Sequence, residues 1–60
     1  MDLDPSINFR AANARLSAKS CRRDALRAKQ RGDEKWAKIY RARAREYDAI
    51  AARLEAEVTQ

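Results

Sequence analysis

The chain has no histidine, one cysteine, one glycine, one proline and four aromatic residues among its 60. Each scarcity excludes something. Without histidine, the commonest general base and imidazole metal ligand is missing. One cysteine permits no disulfide framework and no cysteine-rich metal site, and it fits a reducing, cytoplasmic setting. No apolar run approaches the ~20 residues that span a bilayer, and no signal peptide is visible, so no membrane partner is expected. The single glycine forms no phosphate-binding loop. No cofactor, metal or small-molecule substrate is expected.

The same scarcity leaves long stretches with nothing that breaks a helix. Ile7, Ala11, Ala14, Ala18, Cys21, Ala25 and Ala28 follow an alternating four-three spacing, and so do Ala37, Tyr40, Ala44, Tyr47, Ala51, Leu54 and Val58. Taken from the outside in, Ile7 pairs with Val58, Ala11 with Leu54, Ala14 with Ala51, Ala18 with Tyr47, Cys21 with Ala44, Ala25 with Tyr40 and Ala28 with Ala37. The residue numbers of every pair add to 65. This is the pattern of an all-α antiparallel hairpin with an alanine-rich seam.

Local signals agree. Asp4-Pro5 suits an N-cap and first helical residue, and helix 1 is expected over about 5–31. Gly32 suits a left-handed position just past its end, with the turn at 32–33. Asp33 can cap helix 2, expected over about 33–58. One uninterrupted helix is the structural rival. It would carry the first repeat on to Lys35, Ile39, Ala42, Glu46, Ala49, Arg53 and Ala56, burying three charges, whereas the phase starting at Ala37 buries none.

The positions flanking the seam carry a charge pattern. One flank sets Arg10 near Glu57, Asp24 near Arg43 and Arg31 near Trp36, the last a candidate cation–π pair. The other sets Asn8, Arg15, Arg22 and Lys29 against Arg41, Asp48 and Glu55, with Arg22 near Arg41 the one poor match. Exposed pairs of this kind add little stability, and their value lies in register.

No residue pattern carries catalytic chemistry, and the chain reads as a non-enzyme. Ser17 and Ser20 have no base within helical reach. Cys21 reads as a small seam residue, and Glu46, Asp48, Glu55 and Glu57 as solvated or salt-bridging carboxylates. The charge distribution says more. Residues 19–45 hold eleven Lys/Arg and three Asp/Glu, a net of +8, while the remainder holds three Lys/Arg and six Asp/Glu, a net of −3. The hairpin therefore has a basic turn end, and Lys19, Arg22, Arg23, Arg27, Lys29, Arg31, Lys35 and Lys38 are candidates for an anionic or nucleic-acid partner. Arg41 and Arg45 lie in the same half.

Several apolar residues lie off the seam. Phe9, Ala12 and Leu16 form a stripe on the far side of helix 1, Leu26 lies on another side, and Trp36, Ile39 and Ile50 form a shoulder beside the helix 2 seam. Such residues face protein more often than water, so Phe9, Leu16, Trp36, Ile39, Arg43 and Ile50 are the candidate protein-binding set. A 60-residue hairpin with an alanine seam is also short of buried surface, which favours self-association.

Gly32-Asp33 followed by Ala37 and Ala44, five and twelve residues after the glycine, resembles the second helix of a tetratricopeptide hairpin. Arg41 stands where that repeat has an aromatic residue, no closing proline follows, and there is no second repeat. In size and topology the chain also resembles the Rop type of plasmid-encoded hairpin, which dimerises into a four-helix bundle. The second resemblance implies a homodimer, and neither implies a function. The expectation is a small regulatory binding protein of the kind that bacteria, phages and plasmids encode. It would act by protein–protein interaction, inhibiting or modulating a cellular or host factor. The alternative is a nucleic-acid-binding helical bundle that uses the basic turn end.

Overall fold

The computed structural model describes residues 5–59. They form two helices, α1 (Pro5–Gln30) and α2 (Glu34–Thr59), packed against each other as a hairpin. The continuous-helix alternative is thereby excluded. Asp4, the expected cap of α1, and the lead residues 1–3 lie outside the described residues.

The turn is built from backbone hydrogen bonds. The Gly32 N–H donates to the Lys29 carbonyl (3.0 Å) and the Asp33 N–H to the Ala28 carbonyl (2.8 Å). Together these make a Schellman motif, in which two carbonyls left over at the end of α1 find donors. The motif needs a left-handed residue, and Gly32 sits at φ 80°. Asp33 then opens α2. Its side-chain Oδ1 accepts the Trp36 N–H (3.2 Å), and its carbonyl accepts the Ala37 N–H (3.1 Å). One residue thus closes the first helix and caps the second. Arg27 and Lys29 in the last turn of α1, and Glu34 in the first turn of α2, each have the sign that the local helix dipole favours.

Among the described residues, all nine buried apolar residues are seam residues: Ala11, Ala14, Ala18, Ala25 and Ala28 from α1, and Ala37, Ala44, Ala51 and Leu54 from α2. Eight of the nine are alanine, and no large side chain among the described residues is fully buried. Facing alanines let two helices approach to the near end of the usual ~8–10 Å axial range. Leu54 is the one bulky seam residue buried among the described residues. Tyr40 is half-buried and Tyr47 is 37% exposed, although each takes a seam position opposite an alanine. The Tyr40 ring lies against Trp36.

The result is a rod with Cα extents of 51 × 13 × 10 Å and a radius of gyration of 14.1 Å, against about 10 Å for a compact chain of this length. Its accessible surface is 4765 Å², whereas a compact single chain of the same mass exposes about 4,000 Å². The excess of roughly 770 Å² is close to the ~800 Å² that each partner contributes to a standard protein interface. No helix among the described residues is long and apolar enough to cross a membrane.

Two substitutions test this frame. Ala18 is fully buried at mid-seam, so Ala18→Leu should overpack the seam and cost about 1–3 kcal/mol in urea denaturation. An unchanged midpoint would mean that the helices can part there freely. At Gly32 an added Cβ meets nothing within 4 Å, so the cost of Gly32→Ala is conformational. It should be about 1–2 kcal/mol by thermal circular dichroism, with Gly32→Asn milder.

Candidate functional site

The two flanks of the seam differ in kind. One is ionic. Arg15 on α1 reaches across to two carboxylates on α2: its Nε and Nη2 donate to Glu55 (3.2 and 2.7 Å), and its Nη1 donates to Asp48 (3.1 Å). Arg22, two turns further along α1, donates from Nη1 to the other Asp48 oxygen (2.7 Å). The order is a zigzag, Glu55–Arg15–Asp48–Arg22, with each rung one heptad on from the last. The hydrogen bond from Arg22 is the main influence holding the Asp48 carboxyl below its ordinary range, with Arg15 adding to it. The bond from Arg15 does the same for Glu55, and Glu55 in turn raises the Arg15 guanidinium. All three ion pairs are substantially exposed, so they act mainly to select the register in which these groups meet.

The same repeat places Arg41 next, between Arg22 and Lys29, where a carboxylate would continue the ladder. Instead the chain opens a cleft of about 300 Å³ lined by Arg22, Ala25, Leu26, Lys29 and Arg41. Three of its five lining residues are cationic. Of the eight expected anion-binding residues, the cleft brings together Arg22 and Lys29. Lys19, Arg23, Arg27, Arg31, Lys35 and Lys38 are exposed and line no part of it. Arg41 and Leu26 were not singled out for this role by sequence reasoning. The signal was there: Arg22 facing Arg41 was the one mismatch on an otherwise alternating flank.

The other flank is apolar on the α2 side. Trp36, Ile39, Arg43 and Ile50 fall at helical spacing along one shoulder of α2, beside the seam tyrosines Tyr40 and Tyr47. Trp36 and Ile50 are about as exposed as each other, at 43% and 44%. The expected pairing of Trp36 with Arg31 does not form among the described residues. Trp36 lies against Tyr40, with ring centroids 5.7 Å apart and planes tilted by 38°. The physical reason is at the helix end. Because α1 stops at Gln30, Arg31 belongs to the turn, while Tyr40 lies one helical turn from Trp36 on a continuous helix. Nor do Arg10–Glu57 and Asp24–Arg43 form ion pairs among the described residues; all the recorded cross-helix ion pairs are on the first flank.

Phe9 and Leu16 stand apart from this shoulder. They lie seven residues apart on the back of α1, opposite the seam, and are 68% and 63% exposed. The six candidate protein-binding residues are therefore two patches on different helices. Cys21 is a half-buried free thiol at its seam position. Among the described residues no group of three or more His, Cys, Asp or Glu is placed to hold a metal.

Comparison of the chain with protein-family models, with curated proteins and with solved structures finds no match to any of them.

The ionic flank makes stability pH-dependent in a definite direction. Asp48 and Glu55 bind protons less readily folded than unfolded. Their contribution is complete above the unfolded carboxylate range near pH 4 and is lost as the pH falls through the lower folded values. The melting temperature should therefore fall between about pH 5 and pH 3. Asp48→Asn should flatten that fall, whereas Glu57→Gln, at a carboxylate without a recorded ion pair, should leave it in place.

Proposed function

We propose that this chain is a small non-enzymatic regulatory protein that works by protein–protein interaction as a homodimer, two hairpins forming a four-helix bundle. The observation that carries the reading is the α2 shoulder. Trp36, Ile39, Tyr40, Tyr47 and Ile50 gather beside a seam that is itself almost all alanine. Apart from Leu54, the larger apolar side chains of α2 stay partly exposed, on a surface that a second pair of helices would cover. The surplus of accessible surface is of the size that one partner of a standard interface removes. The charge distribution favours a head-to-tail arrangement, because the +8 turn half of one hairpin then lies along the −3 open half of the other.

In such a dimer the back of α1 stays outside, leaving Phe9 and Leu16 as contact area for a different protein, a cellular or host factor that the dimer inhibits or modulates. Arginines of the turn half would orient that encounter and raise its rate. The single unpaired thiol supports a cytoplasmic setting.

A second reading, a nucleic-acid-binding bundle, is favoured by the concentration of eleven of the fourteen basic residues between 19 and 45. The two readings part on salt. A nucleic-acid binder loses affinity steeply as salt rises.

Sedimentation equilibrium tests the dimer. Trp36→Ala or Ile50→Arg should weaken self-association by about 2 kcal/mol or more, roughly thirtyfold in Kd. Phe9→Ala should leave the mass unchanged and weaken binding of the target alone. A wild-type chain that sediments as a monomer up to millimolar concentration would end the bundle reading. Filter retention of RNA or DNA, lost with salt and on charge reversal of Arg23, Arg27 and Lys29, would put the second reading in place of the first.

A further inference from the structure

We propose that the α2 shoulder is covered by the α2 of a second copy, packed antiparallel about a two-fold axis so that the numbers of facing residues add to 89. This pairing rests on the homodimer reading above and adds to it which residues meet.

The seam is one stripe of α2, and a second stripe runs beside it. Trp36, Ile39, Arg43, Glu46, Ile50 and Arg53 follow an alternating three-four spacing, the periodicity of a helix-pairing face. This stripe lies about 110° round the helix from the seam, so α2 can pack on α1 with one face and on another helix with the other. Ile39 is half-buried and the other five are exposed. Arg43, Glu46 and Arg53 take part in none of the ion pairs recorded among the described residues. The corresponding positions of α1 are polar (Arg10, Asn13, Ser17, Ser20 and Asp24), so the contact falls to α2.

The second stripe is complementary to itself. Turned end for end with the sum 89, Trp36 meets the partner's Arg53, Ile39 the partner's Ile50 and Arg43 the partner's Glu46. Two-fold symmetry then repeats each pair. Apolar meets apolar, cation meets carboxylate, and a guanidinium meets the exposed indole in cation–π fashion. The neighbouring alignments fail. One heptad shorter, at a sum of 82, Ile39 meets the partner's Arg43 and Trp36 the partner's Glu46. One heptad longer, at 96, Arg43 meets the partner's Arg53 and Ile50 the partner's Glu46. A parallel pair in register sets Arg43 on the partner's Arg43 and Glu46 on the partner's Glu46.

The flanks agree with the same register. In the hairpin, flanking pairs add to two more or two less than the seam pairs, as Arg10 with Glu57 and Arg15 with Asp48 show. The same offsets from 89 bring Tyr40 to the partner's Tyr47 and Ala42 to the partner's Ala49. One flank joins the partly exposed tyrosines, and the other is alanine, which lets the backbones approach. The Arg43 and Glu46 layer at the centre contributes more to orientation and register than to affinity. The alignment also sets the +8 turn half of each hairpin along the −3 open half of its partner.

Charge exchange on the full chain, read by sedimentation equilibrium, tests the register. Arg43→Glu alone sets carboxylate against carboxylate twice in its own dimer, and Glu46→Arg alone sets cation against cation twice. Each should raise the dimer Kd about tenfold or more, with helix content by circular dichroism unchanged. Mixing the two single variants restores both opposite-charge pairs, so the mixture should dimerise about as tightly as wild type. Each chain keeps its altered neighbours within its own helix, so recovery on mixing reads the contact between chains alone. Should a single variant lose helix content, the double variant Arg43→Glu/Glu46→Arg carries the test and should dimerise like wild type. A wild-type dimer that neither single variant weakens would overturn this register and leave the homodimer standing. So would a mixture no tighter than its components. A wild-type chain that stays monomeric would remove the register and the homodimer together.

Discussion

The close approach of two alanine-faced helices is the constraint from which the other features follow. Alanine fits a helix better than any other residue and leaves no side chain to hold the partner away. It also buries little apolar surface per residue, so the seam organises the hairpin more than it stabilises it. Tyr40 and Tyr47 take seam positions yet stay partly exposed, and Tyr40 packs on Trp36. The apolar surface that a larger core would have enclosed is carried on the outside.

An alanine seam has little shape of its own, since one alanine packs on another much as on its neighbour seven residues away. Direction and register come from elsewhere. The Schellman turn at Gly32 sets where the chain reverses, and the bifurcated grip of Arg15 on Glu55 and Asp48 sets which rungs meet. One device lies at the turn and the other from the middle of the hairpin towards its open end, and they agree on the same alignment. The flanks then divide the work: one holds charges in fixed positions, and the other offers apolar surface.

Much of this was legible in the sequence because alanine spacing is a strong signal and the phase breaks at the only glycine. The pairing of numbers that add to 65 names every buried residue among those described, and the alternation of Arg15 and Arg22 with Asp48 and Glu55 anticipates the ladder. Three features were not legible. Heptad position places Tyr47 in the seam, but its exposure depends on how near the helices come, which is a property of the residues opposite it. Trp36 was assigned to Arg31 by register alone, whereas the path of the chain after Gln30 decides where Arg31 can reach. Arg41 looked like a pairing fault, and only the cleft around it shows that the fault has a volume and a lining.

Asp33 has a consequence for how the hairpin assembles. Because one residue ends α1 and starts α2, neither helix terminus is complete without the other, and the turn forms as a unit. The innermost seam pair, Ala28 with Ala37, is nine residues apart, whereas the outermost, Ile7 with Val58, is fifty-one apart. Each pair that closes shortens the loop left for the next, so the entropic cost of closure is met in small steps. The order of assembly is that of a zip fastener drawn from the turn outward. Amide hydrogen exchange would then slow progressively from the open end towards Gly32, with protection set by distance from the turn more than by burial.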